Sequence, residues 1–169
     1  MKKYSLIIFL LLYVFNYKIF AAKLTLESPA FKLNTIIATQ YTCNGDDKSP
    51  PLAWSNIPPK TQSLVLLMED PDAPDGTWTH WVLFNIPPTL TGLDVGAATP
   101  EGAANAKNSW GSLIYRGPCP TLGMHRYVFK LYAVDKVLTF GNGATKDAVL
   151  DAITGHTLGN AELAGLYQK

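Results

Sequence analysis

The chain has little cysteine and little histidine, two of the first and three of the second. The histidines, His80, His125 and His156, form neither H-x-x-x-H nor H-x-H, so the spacing that would announce a zinc centre is missing. There is no G-x-S-x-G, no P-loop and no G-x-G-x-x-G. The usual sequence warrants for a serine hydrolase, a nucleotide triphosphatase and a dinucleotide enzyme are therefore absent. Charge is sparse at 16% of residues, with a formal net charge of +1. That excludes the strongly basic surface of a nucleic-acid binder. No internal repeat or low-complexity segment occurs. The longest apolar run, Leu6 to Phe15, falls short of the ~20 residues that span a bilayer as a helix.

What that run does suit is an address. Lys2 and Lys3 precede it, Asn16-Tyr17-Lys18 breaks it, and Ala21-Ala22 follows. This is the plan of a secretory signal peptide over residues 1–22, cleaved near Ala21 or Ala22, for a periplasmic or secreted protein. Ile19 fits the small-residue rule poorly, which leaves an uncleaved anchor as the alternative. Cleavage would remove three lysines and no acid, leaving a net charge near about −2 on about 147 residues. Residues 23–169 are the length of one ordinary domain with a real core.

In an exported chain an even cysteine count invites a disulfide, here Cys43 to Cys119. Closing a loop of about 77 residues would stabilise the fold by ~4 kcal/mol. Two unpaired thiols are the plain alternative. A nucleophilic Cys119 beside His125 is the sharper one, though an oxidising compartment would trap its thiol.

Along the chain, short strands alternate with Pro- and Gly-rich turns. Lys23–Leu26, Leu52–Trp54, Ser63–Glu69 and Val82–Ile86 read as strands, and His125–Val134 alternates most strongly. Leu93–Asn108 has no sustained period and reads as irregular. Thr145 offers an N-cap to one late helix carrying Ala148, Leu150, Ile153 and Leu158, and a last strand follows over Ala161–Tyr167. Many short strands and one helix predict a mainly β sandwich.

Two stiff loops organise the chemistry. The first is Asp70-Pro71-Asp72-Ala73-Pro74-Asp75-Gly76-Thr77-Trp78-Thr79-His80-Trp81, and the second runs from Trp110 to Pro120. Prolines fix φ and pull the preceding residue out of helical conformations. Asp70, His80, His125 and Tyr127 are the polar groups at the loop ends. If the loops meet, two imidazoles and a phenol converge beside a carboxylate. Such donors suit a small anion, typically phosphate or a phosphate monoester, with Pro74, Trp78 and Trp81 as an apolar wall. Each residue also has a plainer use. His80 can be a strand histidine bound to a carbonyl, Asp70 and Asp72 can be turn formers, Tyr127 can be a core aromatic, His156 can end the helix, and Trp54 and Trp110 can simply pack.

Taken together, these motifs resemble one family. Asp70-Pro71-Asp72-Ala73-Pro74, His80-Trp81 with Asn85-Ile86, Gly117-Pro118-Cys119-Pro120, Gly123 and His125-Arg126-Tyr127 resemble the phosphatidylethanolamine-binding, or Raf kinase inhibitor-like, proteins. Cys43-Asn44-Gly45, Ser49-Pro50-Pro51-Leu52-Ala53-Trp54 and Gly155-His156-Thr157-Leu158 are similar to the bacterial branch. The resemblance implies an antiparallel β-sandwich with Greek-key connections and a few peripheral helices, one near the C-terminus. It implies an anion pocket using Asp70, His80, His125 and Tyr127, rimmed by Pro74 and the Gly117-Pro118 turn. It also implies a disulfide between Cys43 and Cys119. The expected role is binding or regulation, not catalysis, with no cofactor, no metal and no nucleic-acid partner. The alternative is pocket-independent contact with another protein, a hydrolase or a host factor. Homodimerisation is left open.

Overall fold

The computed structural model describes residues 22–169. The expected leader over residues 1–22 lies, but for Ala22, outside the described residues. Among the described residues nine strands are formed: β1 (Thr25–Glu27), β2 (Thr35–Ile36), β3 (Leu52–Ser55), β4 (Ser63–Asp70), β5 (Trp78–Ile86), β6 (Gly92–Leu93), β7 (Ala104–Asn105), β8 (Met124–Val134) and β9 (Thr157–Gln168). One α-helix, α1 (Lys146–Ile153), stands before β9. The fold is mainly β, as the sequence predicts.

Six strands form one sheet in the order β2-β9-β8-β4-β5-β7, and three form another in the order β1-β3-β6. The pairing is antiparallel except that β2 runs parallel to β9. The larger sheet is therefore mixed, which corrects the expectation of purely antiparallel pairing. Short β2 reaches β9 from a loop, not a hairpin, so no tight turn dictates its direction.

β4 and β8 are central. Every residue of β4 is buried, because both faces of the sheet are covered. One face carries Leu64, Leu66 and Met68, with Tyr127, Phe129 and Leu131 from β8, against Leu26, Leu52 and Trp54 of the small sheet. The other face carries Val65, Leu67, Val82 and Phe84 against Val149 and Ile153 of α1. Residues alternate between the two clusters, as a period of two requires.

The helix begins where the N-cap reading places it: Thr145 Oγ1 accepts from the Ala148 amide at 3.1 Å. It stops at Ile153, earlier than the apolar spacing suggests. Leu158 belongs to β9, which starts at Thr157 and is longer than the expected last strand. The stretch read as irregular, Leu93–Asn108, contains the ends of two-residue strands too short to show periodicity. No described helix is long and apolar enough to cross a membrane.

Candidate functional site

The first loop is only half loop. Trp78 to Ile86 is strand β5, so His80 lies inside a strand and not at its mouth. The register explains how it still reaches the site. Thr79 pairs with Glu69 and Trp81 pairs with Met68, leaving His80 as an extra residue, a β-bulge. The bulge turns His80 and Trp81, though adjacent, to the same side. Trp81 enters the cluster that holds Tyr127, and the His80 ring meets Tyr127 edge-on at 5.2 Å. Thr79 turns to the opposite face, beside Thr145 and Lys146.

His125 and Tyr127 alternate onto that face from β8, and Asp70 ends β4 opposite them. His125 Nδ1 donates to Asp70 Oδ2 at 2.7 Å. The other Asp70 oxygen accepts from the Asp72 amide at 2.9 Å. Asp72, the other carboxylate singled out in the sequence, turns away. It takes Nε and Nη2 of Arg126 at 2.9 and 2.6 Å, which holds its carboxyl down at about 2. Its task is to tie the 71–77 loop to β8.

His80 is held from behind by the second loop. Its Nδ1 donates to the Arg116 carbonyl at 2.7 Å, and the Arg116 amide donates to the His80 carbonyl at 3.3 Å. Burial pushes the His80 imidazole below its usual range, against the pull of the Arg116 carbonyl and of Asp70. The Tyr127 phenol is pushed well up by burial, with Asp70 adding to the effect. Tyr127 is fully buried, and its hydroxyl has no hydrogen-bond partner among the described residues.

A cavity of about 320 Å³ opens over these groups, lined by Asp70, Ala73, Pro74, Asp75, Trp78, His80, Trp110, Cys119, Pro120, Thr121 and His125. Three larger grooves, of about 460, 410 and 440 Å³, lie beside Pro58 and Leu158, beside Phe31 and Leu163, and beside Leu52 and Leu93, and hold no histidine. The smaller cavity is the one with chemistry. Of the sequence-selected residues it gathers Asp70, Pro74, His80 and His125, with Tyr127 packed beneath both rings.

Gly117 and Pro118 do not line this cavity, so the rim drawn from the resemblance shifts by two residues. Cys119 and Pro120 take the wall. Gly117 sits behind it, where its amide donates to Asp47 Oδ1 at 2.6 Å. A Cβ there would stand 2.4 Å from the Tyr41 carbonyl, so only glycine fits. The Pro118 carbonyl accepts from the Cys43 amide. Beside them Cys43 and Cys119 form a disulfide. This settles the cysteine question in favour of the bridge and removes Cys119 as a free thiol. Trp81 is likewise not a wall: it is buried, with its ring edge-on to Tyr115.

Sequence reasoning read Trp110 as a packing residue and passed over Asn108. Trp110 stands edge-on to both His80 (5.0 Å) and Trp78 (5.4 Å). Asn108 is buried and fully bonded. Its Nδ2 donates to the carbonyls of His80 and Ile114, and its Oδ1 accepts from the amides of Trp110 and Ser112. It folds the second loop around His80. An Asn two residues before Trp-Gly is a turn signal, but nothing local shows that the turn wraps a distant histidine. No group of three metal-ligating side chains is found among the described residues.

Fold and site together define a small, mainly β protein with a polar cup between two loops. A family model for phosphatidylethanolamine-binding protein matches residues 27–168. A UPF0098 protein of Methanothermobacter thermautotrophicus is 48% identical over 86% of this chain and 99% of its own length. The structure of a Chlamydia trachomatis protein described as a phosphatidylethanolamine-binding protein homologue superposes with a TM-score of 0.83. It is 41% identical and covers 87% of this chain and 98% of its own. E. coli YbcL, described as a member of the mammalian family, gives 0.81 at 29% identity over 88% and 99%. The chain belongs to the phosphatidylethanolamine-binding protein family.

Proposed function

We propose that the protein is an extracytoplasmic binding protein whose cup holds a small oxyanion of the phosphate or phosphorylethanolamine type. One observation carries the reading: residues from three strands and two loops, up to 55 positions apart, deliver two imidazoles and a buried carboxylate to one cavity. Asp70 orients His125, Arg116 orients His80, and Trp78, Trp110 and Pro74 exclude water from one side. The role is binding, not turnover. In support, the sulfur nearest the cavity is committed to a disulfide, and Asp70, the carboxylate most deeply placed, is occupied with His125 and a backbone amide. The disulfide and the basic-apolar leader pattern support an address outside the cytoplasm. The chain passes between the two sheets repeatedly, with β1, β3 and β6 in the small sheet and β2, β4, β5 and β7 in the large one, which supports Greek-key connections between the layers.

Nuclear magnetic resonance tests the reading. Phosphate or phosphorylethanolamine at millimolar concentration is expected to shift the ring resonances of His80 and His125 and to leave those of His156 unmoved. His156 is paired with Asp135 outside the cup. No shift, or an equal shift of all three, would refute the reading.

A further inference from the structure

The imidazole N–H groups of the cup are already committed. His125 has an acceptor on each ring nitrogen, Asp70 Oδ2 at 2.7 Å and the Leu122 carbonyl at 3.2 Å. Only a doubly protonated ring makes both bonds, and it then has no N–H left. His80 directs Nδ1–H to the Arg116 carbonyl. In the neutral ring this tautomer puts a lone pair on Nε2, which has no partner among the described residues. An oxyanion that reaches His80 Nε2 therefore meets an acceptor where it needs a donor.

The surrounding charges do not compensate. Asp70 of β4, Asp75 of the first loop and Asp47 behind Gly117 are negative. Arg116, over the Trp110 ring, is positive, and His125 of β8 is positive when both of its ring-nitrogen bonds are made. Tyr127 of β8 and Tyr115 of the second loop are phenols raised by burial and stay neutral. The Asp72–Arg126 pair cancels itself. The set leans negative until one proton is added.

Building on the anion reading, we propose that the cup accepts an oxyanion only together with one acidic proton, held between the anion and His80 Nε2. His80 is then the residue that sets specificity. Phosphate monoesters and free phosphate, whose second ionisation lies close to neutral pH so that a fraction carries the proton, are preferred. Diesters and sulfate are not, because they bind only when His80 takes a proton from solvent. The low proton affinity that burial gives His80 makes that uptake costly at neutral pH.

Calorimetric titration of the whole protein tests this with monomethyl phosphate, dimethyl phosphate, inorganic phosphate and sulfate, in buffers of differing ionisation enthalpy. At pH 7, monomethyl and inorganic phosphate should bind about tenfold or more tighter than dimethyl phosphate. Sulfate should bind with uptake of close to one proton, weakening about tenfold per pH unit above 7. Nitrogen-15 spectra should place the new proton on His80 Nε2. His80→Gln, whose amide donates at any pH, should make sulfate binding independent of pH. Should diester and monoester bind alike, with sulfate affinity flat in pH and no proton taken up, the proposal fails while the anion site stands. A proton appearing on His125 in place of His80 also defeats it. Binding of none of the four anions at any pH overturns both the proposal and the anion reading.

Discussion

At the scale of single residues the site rests on a few committed bonds. His80 has its proton affinity lowered by burial, so the unfolded chain binds a proton there first as pH falls. The stability tied to neutral His80 is present above the ordinary imidazole value of about 6.5 and is lost as pH falls through the lower folded value. Urea midpoints between pH 7.5 and 5 should fall in the wild type and fall less in His80→Gln. Asn108 gives a sharper case. Removing its amide takes one partner each from the carbonyls of His80 and Ile114 and from the amides of Trp110 and Ser112 at once. Asn108→Ala should cost about 2–4 kcal/mol in urea unfolding. Amide exchange should quicken over 109–116 while the β8–β9 amides stay protected. Equal loss of protection everywhere would mean that Asn108 acts on the whole fold and not on the loop.

At the scale of elements, helix α1 is docked by charge as well as by Val149 and Ile153. Glu69 is buried on β4 and takes Lys130 of β8 at 2.9 Å and Lys146 of the helix at 3.1 Å. Burial pushes its carboxyl up, but the two ammonium groups outweigh that and hold it low. Both lysines keep some solvent, so the pairing is worth less than a fully dry one. Glu69→Gln should cost about 1–3 kcal/mol. It should raise exchange in 146–153 first, since the helix loses its tie to the sheet. This docking was not legible in the sequence: Glu69, Lys130 and Lys146 are 16 to 77 residues apart and carry no mutual pattern. The strands were legible where one face is core, as in β8, whose burial alternates over most of its length. β4 showed as a plain apolar run, and β6 and β7 are too short to show anything. The bulge at His80 was hidden for another reason. Adding one residue to one strand is a property of the pair, and a single strand's sequence does not record its partner's register. Asp70, His80, His125 and Tyr127 could be selected because loop prolines and titratable groups stand out. Asn108 and Trp110 could not, because their role depends on which turn wraps which strand.

At the scale of the whole molecule, the disulfide ties the 42–47 loop to the cavity wall across 76 residues. Pairing Cys43→Ser with Cys119→Ser should cost about 4 kcal/mol by the loop-entropy account. The Gly117–Asp47 and Cys43–Pro118 hydrogen bonds remain, so the strand frame should survive and the far-ultraviolet circular dichroism should be unchanged at 25 °C. Loss of the folded spectrum would mean that the bridge maintains the sheets and not only the wall. The small sheet on one side and a helix on the other hold β4, β5 and β8 in place, and the cup is built on the strands beneath it. The central claim is that this frame holds the cup ready for an oxyanion. Its most direct test is an electron-density map from crystals grown in phosphate at pH 6. The account predicts tetrahedral density in the cavity, with an oxygen within about 3 Å of His80 Nε2. A map with phosphate bound elsewhere and only water beside His80 would contradict it.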